Sequence, residues 1–246
     1  EYIGTLMFIG IGLASVATMV LELSDVSYSF MALAWGIAIA FSIYLVGSIS
    51  GAHMNPAVTI ALTIWSGFEK KKTVFYIIAQ IIGAFSAAAI VYLLFREGIT
   101  GFEDANGWIR GTAEGTGAMG IFVTSSSLSM WKAFLVEVID TMVLVLTIYA
   151  VTDKNNASAP SPGLGAVAIG ISVTLCGIAL GPLTGFAMNT ARDLGPRLFL
   201  AIAGWKQYAW GNNLYGIIVP IFAPIVGGIL AGGLYTKVIA RIRIDG

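Results

Sequence analysis

Apolar positions in this chain do not alternate with polar ones at a short period; they run together in stretches about as long as a bilayer core is thick. Six of them, about 3 to 21, 30 to 49, 73 to 95, 132 to 151, 164 to 181 and 214 to 239, read as full membrane-spanning helices, because ~20 apolar residues at ~1.5 Å rise cover the hydrocarbon. Two shorter stretches run from Asn55 to about Trp65 and from Asn189 to about Ala203. Roughly 11 helical residues cover ~16 Å, half the hydrocarbon thickness, so these are half-spans.

Each half-span opens inside a repeated motif. Gly47-Ser-Ile-Ser-Gly-Ala-His-Met-Asn-Pro-Ala57 pairs with Gly181-Pro-Leu-Thr-Gly-Phe-Ala-Met-Asn-Thr-Ala191, sharing Gly, Gly, Met, Asn and Ala in register. The repeat goes further: Glu1-x-Ile-x-Thr5 returns as Glu137-x-Ile-x-Thr141, and Ala79-Gln-Ile-Ile-Gly83 as Ala223-Pro-Ile-Val-Gly227. The chain is therefore expected to be one membrane domain, 1–246, built from repeats of about 1–98 and 131–242. Each copy has three full spans, an odd number, so the second starts from the opposite face and the repeats are inverted. The half-helices then point their N-termini at each other, and a duplicated, interrupted segment marks where a molecule crosses.

Composition agrees with a bilayer solvent. Of the residues, 57% are hydrophobic and 11% charged, with mean hydropathy +0.88. Continuous apolar runs exclude an outer-membrane barrel, whose strands alternate, leaving an all-α membrane fold. A net charge of +0 and no basic block beyond Lys70-Lys71-Lys72 give no reason to invoke nucleic acid. One cysteine and one histidine exclude a disulfide framework and argue against a protein-only metal site, and nothing suggests a cofactor or an enzyme. Glu1 already lies in an apolar run, so a few residues are expected to precede it in the full chain.

The loop charges give an orientation. Lys70, Lys71, Lys72, Lys154, Lys237, Arg241 and Arg243 share one side, which the positive-inside rule makes cytoplasmic, with both termini. The other side carries Arg96, Arg110, Lys132 and Lys206 among several acids. Arg96 to Trp131 reads as the longest connector, folded over the extracellular mouth, and Asp153 to Pro162 as a polar linker.

A half-helix that starts at mid-membrane leaves its first N–H groups without intrahelical partners, which costs several kcal/mol per group in lipid unless something polar stands there. Asn55 and Asn189 are favoured N-caps, and Pro56 follows the first with no N–H to leave unpaired. With its oxygen engaged by the cap, each amide can turn N–H toward the passage. Two helix N-termini, each worth roughly half a positive charge, repel protons and metal cations but accept hydroxyl oxygens. The expected permeant is small, polar and uncharged.

Together, the duplicated Asn motifs, paired Glu1 and Glu137, Arg192 after the second motif and six spans resemble the major intrinsic protein family, the aquaporins and glycerol facilitators, over essentially the whole chain. The resemblance implies a homotetramer in the cell membrane, one pore per subunit, with both Asn side chains touching the permeant. Thr190 departs from the family's second Pro and adds an N–H to satisfy, so pore geometry is expected to survive with proton exclusion in question. The family's narrowest ring, carried over by spacing, falls on Trp35, Gly177, Phe186 and Arg192. Water-selective members have His where Gly177 stands and a small residue where Phe186 stands, so this ring resembles the glycerol set. Trp35 and Phe186 would offer an apolar corner to a carbon backbone and Arg192 donors to its hydroxyls. Asp193, Arg197 and Pro220-Ile221 resemble the same branch.

Each assignment has a plainer alternative. Trp35 and Phe186 could be packing or interfacial aromatics, and Arg192 a snorkelling arginine, although an arginine three residues into a half-span is costly unless it faces water. Glu1 and Glu137 could relay protons or brace the re-entrant loops through backbone N–H groups, and the family favours bracing. His53 could line the cytoplasmic pore or sense pH. Cys176 should pack away from the lumen, and Gly83-Ala84 and Gly227-Gly228 read as close helix contacts. Asp140 has no assignment. The reading is a passive glycerol and water channel; the rivals are a water-selective channel, a coupled transporter, since inverted repeats build those too, and an adhesion protein, which leaves the Asn pair unexplained.

Overall fold

The computed structural model describes residues 1–161 and 163–245, with the side chains of 243–245 left out; the linker's last residue, Pro162, and the Arg243 side chain lie outside the described residues. Every regular element among them is helical. Four are long, apolar spans: α1 (Tyr2–Val20), α2 (Tyr28–Ser50), α4 (Lys70–Ala105) and α5 (Met130–Thr152). Between them stands α3 (Pro56–Trp65), the first half-helix. The second half repeats the order with α6 (Leu164–Ala179), a turn α7 (Gly181–Thr184), the second half-helix α8 (Thr190–Leu200), and a last span composed of α9 (Tyr215–Ile217), α10 (Ala223–Leu234) and α11 (Ala240–Asp245).

Three boundaries differ from the hydropathy reading. Helix α4 runs ten residues past Phe95, so the expected connector from Arg96 begins at Asn106. Hydropathy falls there because the last turns are amphipathic: Ile99 and Glu103 are buried while neighbouring polar residues face out. Glu103 is paired with Arg110, whose guanidinium lies 4.2 Å from the centroid of the Trp205 ring. Helix α6 stops at Ala179, at 16 residues, and Pro182, which cannot donate into a helix ladder, sits in the turn beyond it. The last span is not one regular helix. Pro220 and Pro224 remove two ladder donors, and the chain makes a wide π turn at Ile218–Phe222.

The bundle is held by helix crossings too close for side chains. A Cβ at Gly36 would lie 2.3 Å from Gly170 O, and one at Gly170 would lie 2.4 Å from Gly36 O, so α2 and α6 meet backbone to backbone at equivalent positions of the two halves. Gly83 and Gly227, expected as contact glycines, make the same approach to α1 and α5: their Cβ atoms would stand 2.7 Å from Tyr2 O and 2.5 Å from Val138 O. The half-helices pack inside, α8 against α4 and α3 against α10. Every long span exposes large apolar side chains, among them Phe30, Phe75, Leu93, Leu94, Trp131 and Leu175. Such a surface belongs in lipid, and the protein is a multi-pass membrane protein.

Candidate permeation pathway

Both re-entrant loops follow the same backbone path. Gly51 and Gly185 take φ of 83° and 84°, Ala52 and Phe186 52° and 40°, and Met54 and Met188 48° and 51°. Two non-glycine residues per loop therefore sit in the left-handed region, each at a cost of ~1–3 kcal/mol that the surroundings must offset. The glutamates supply the restraint. Glu1 Oε1 accepts from His53 N at 3.0 Å and Oε2 from Met54 N at 2.6 Å. Fully buried Glu137 accepts from Ala187 N and Met188 N, both at 2.9 Å. All four oxygens are occupied by backbone donors, the geometry of a brace. Gln80 strengthens the first loop, donating to Glu1 at 2.6 Å and to Thr59 at 3.0 Å.

The loops deliver Asn55 and Asn189 to one point. Asn55 caps α3 by accepting from Ala57 N at 2.9 Å, and Asn189 caps α8 by accepting from Ala191 N at 2.9 Å and Arg192 N at 3.2 Å. Each amide then reaches across the interface: Asn55 Nδ2 donates to Met188 O and Asn189 Nδ2 to Met54 O, both at 2.8 Å. An amide nitrogen has two hydrogens, so one is spent on the opposite loop and one remains for the passage. Pro56 starts α3 at the helix position that lacks a partner anyway. Thr190, in the matching place, donates its hydroxyl to Ile221 O at 2.9 Å, tying α8 to the π turn of the last span. Ala57 and Ala191 are fully buried, small enough for the half-helices to meet.

On the α8 side of the Asn pair, three of the four ring residues converge. Trp35 and Phe186 stand edge to face with centroids 6.2 Å apart, and the Arg192 guanidinium lies 4.7 Å from the centroid of the Trp35 ring. Arg192 Nη1 donates to Phe122 O at 2.9 Å, which fixes the guanidinium over that ring. These residues and both Asn side chains line a constriction of about 40 Å³, the narrow neighbour of the 290 Å³ cavity beyond the Asn pair. Gly177 stands behind it: a Cβ there would lie 3.2 Å from Phe186 Cε2 and Cζ. Its smallness sets where Phe186 can sit.

Beyond the Asn pair on the other side, a cavity of about 290 Å³ is lined by Gly51, His53, Asn55, Asn189 and aliphatic residues of α2, α3, α5 and α6. His53 Nδ1 lies 3.2 Å from Thr59 Oγ1, and its ring packs against Phe68 and Tyr76 with centroids 4.6 and 5.1 Å away. Cys176 is buried against α5, its thiol 3.9 Å from Asp140 O. No group of three or more His, Cys, Asp or Glu able to hold a metal occurs among the described residues.

Asp193 does not line the constriction; it fastens the connector to α8. Its Oδ2 accepts from Thr124 N and Oγ1, both at 2.8 Å, and its Oδ1 from Arg197 Nε. Arg197 in turn donates to Ala209 O at 2.7 Å and Thr124 O at 2.6 Å. The connector that presents Phe122 O to Arg192 is held from below. Sequence reasoning missed Phe122, Thr124 and Gln80. Gln80 was within reach, since it sits in a repeated block opposite Pro224; the Phe122 carbonyl carries no side-chain signal at all.

Two half-helices capped by asparagines and brought tip to tip inside a bundle define an aquaporin-like membrane fold. The chain belongs to the major intrinsic protein family, whose model, Major intrinsic protein, matches residues 1–235. Its relatives include the glycerol uptake facilitator protein of Pseudomonas aeruginosa, 42% identical over 245 residues, covering 98% of this chain and 88% of that one. The propanediol uptake facilitator of Salmonella typhimurium is 40% identical over 245 residues, covering 98% and 92%. The solved aquaglyceroporin from Plasmodium falciparum superposes with a TM-score of 0.87 at 30% identity, covering 100% of this chain and 97% of that one.

Proposed function

We propose that the chain is a passive channel in the cell membrane that conducts glycerol and water and excludes protons and ions. The observation that carries this reading is the constriction. One wall is apolar, made by Trp35 and Phe186, and the adjoining corner is a guanidinium held in place by the Phe122 carbonyl. A polyol lying with its carbons on the rings and its hydroxyls on Arg192 satisfies both walls, whereas a water chain uses only the polar one. The glycerol and propanediol named in its relatives' descriptions fit the same chemistry.

At the centre, the free N–H groups of Asn55 and Asn189 donate to permeant oxygens, and two helix N-termini oppose any cation. The single-domain inverted repeat of about 1–98 and 131–242, cytoplasmic termini and a homotetrameric assembly complete the reading. A water-selective channel is the second reading, favoured by the narrowness of the constriction, about 40 Å³ against about 290 Å³ for the cavity beyond the Asn pair. A coupled transporter is separated by energetics. Uptake of labelled glycerol into proteoliposomes should be non-saturating over a wide concentration range and indifferent to imposed proton or sodium gradients. Uptake driven uphill by either gradient would sink the channel reading.

A further inference from the structure

Helix α1 passes behind the constriction, and where it meets Trp35 it has no side chain. A Cβ at Gly12 would lie 2.4 Å from Trp35 Cδ2 and Cε2 and 2.5 Å from Cε3. These are three consecutive atoms of the six-membered ring, and a point almost equally near all three at that distance lies over the face of the ring. The indole therefore rests flat on the α1 backbone, with both residues buried. Phe8, one turn earlier on α1, meets the indole edge to face with centroids 6.3 Å apart. With one face covered by Gly12, the other is left to the Arg192 guanidinium, 4.7 Å from the ring centroid. Trp35 is held between a helix backbone and the charge that completes the constriction.

The inverted repeat pairs the glycine with the ring. Gly12 lies 11 residues after Glu1, as Ile148 lies 11 after Glu137, and Trp35 lies 20 before Asn55, as Ile169 lies 20 before Asn189. Trp35, on its glycine, walls the constriction of about 40 Å³, whereas both isoleucines line the cavity of about 290 Å³ on the far side of the Asn pair. A flat, bulky ring stands where the matching position on the neighbouring helix is glycine, and a branched aliphatic where that position is branched. A methyl group at Gly12 would break the match. Ordinary carbon contacts lie at ~3.5–4.0 Å, so the ring would have to retreat along its own normal by roughly 1 Å or more. That movement carries Trp35 toward Arg192 and narrows the opening they share.

We propose that Gly12 is a positioning residue that sets the width of the constriction: it seats Trp35 far enough back for a polyol to pass, and a side chain there closes the passage to polyols before it closes it to water. The proposal rests on the channel reading above, because it gives Gly12 a part in selectivity and not in folding alone. Gly177 on α6 stands likewise against Phe186, so each aromatic wall of the constriction is backed by a helix glycine.

The test is a double-mutant cycle of Gly12→Ala and Trp35→Phe, read as the ratio of glycerol to water flux in proteoliposomes. Phenylalanine lacks the outer ring of the indole, the part that lies on Gly12. In the wild-type background Gly12→Ala should lower glycerol flux roughly tenfold or more, as overpacking at the opening predicts, and water flux by less. In the Trp35→Phe background the same change should alter the ratio by less than about twofold. Gly10→Ala, whose new Cβ meets no atom nearer than 4.0 Å, is the control on the same helix and should leave both fluxes unchanged. An unchanged ratio in Gly12→Ala, or equal losses in both backgrounds, overturns the proposal. Should Gly12→Ala alone not fold, the double variant is compared with Trp35→Phe alone: ratios equal within about twofold are expected, and a larger loss overturns the proposal. Thermal unfolding midpoints complete the same cycle without flux. Gly12→Ala should lower the midpoint by several degrees in the wild type and by much less in Trp35→Phe. A wild-type protein that conducts no glycerol would sink the channel reading, whereas equal lowering of the midpoint in both backgrounds would sink the seating of Trp35 on Gly12.

Discussion

Adding one methyl group at Gly177 probes the filter without replacing any residue that lines it. An ideal Cβ there stands 3.2 Å from Phe186 Cε2 and Cζ and 3.1 Å from Ala32 Cβ, where ordinary carbon contacts lie at ~3.5–4.0 Å. Ala32 belongs to the α2 backbone wall and cannot retreat, whereas the Phe186 ring borders the constriction and can. The ring must move by a few tenths of an ångström into an opening of about 40 Å³. Overpacking of this kind costs ~1–3 kcal/mol, and with ~1.4 kcal/mol per factor of ten in rate the lower half of that range predicts a roughly tenfold loss of glycerol flux. Water, being smaller, should lose less than about twofold on the same physical grounds. The assay is stopped-flow light scattering on proteoliposomes of matched protein content, reading osmotic water flow and glycerol re-swelling in one preparation. Equal losses of both fluxes, or no loss of either in a protein of unchanged thermal stability, would refute the argument that Gly177 sets the position of Phe186.

The double change Gly177→His with Phe186→Ala exchanges an apolar wall for a donor and should lower glycerol flux far more than water flux; parallel losses would count against the assigned ring. Thr190→Pro removes the hydroxyl bond to Ile221 O, worth ~1 kcal/mol, and restores a residue suited to the first helical position. Conduction and thermal midpoint should change little, and abolished flux would mean that Thr190 has a separate task. Glu137→Ala strands the N–H groups of Ala187 and Met188, at ~1–3 kcal/mol each, and should lower the unfolding temperature in detergent by several degrees. Glu137→Gln, which keeps an acceptor, should fall between; a midpoint unchanged in Glu137→Ala would remove the brace.

What could be read from the chain was what chemistry repeats or what spacing carries. The half-spans were visible because Asn55 and Asn189 open apolar runs too short to cross, and their tip-to-tip meeting followed from counting spans. Glu1 and Glu137 were readable as a pair only because the repeat aligned them. Three kinds of feature were hidden. Backbone acceptors such as Phe122 O and Met188 O have no residue signature, yet they fix Arg192 and Asn55. Amphipathic helix beyond the hydrocarbon, as at the end of α4, looks like a loop to any hydropathy window. The left-handed residues Ala52, Met54, Phe186 and Met188 are ordinary side chains whose conformation is imposed from outside by the glutamates.

The central claim is that the Trp35, Phe186 and Arg192 constriction, backed by Gly177, passes a polyol. Proteoliposomes first shrunk by an impermeant osmolyte and then challenged with an inward glycerol gradient measure it directly against empty vesicles. Fast shrinkage followed by fast re-swelling is the predicted result. Fast shrinkage with re-swelling at the control rate would contradict the account and assign the passage to water alone.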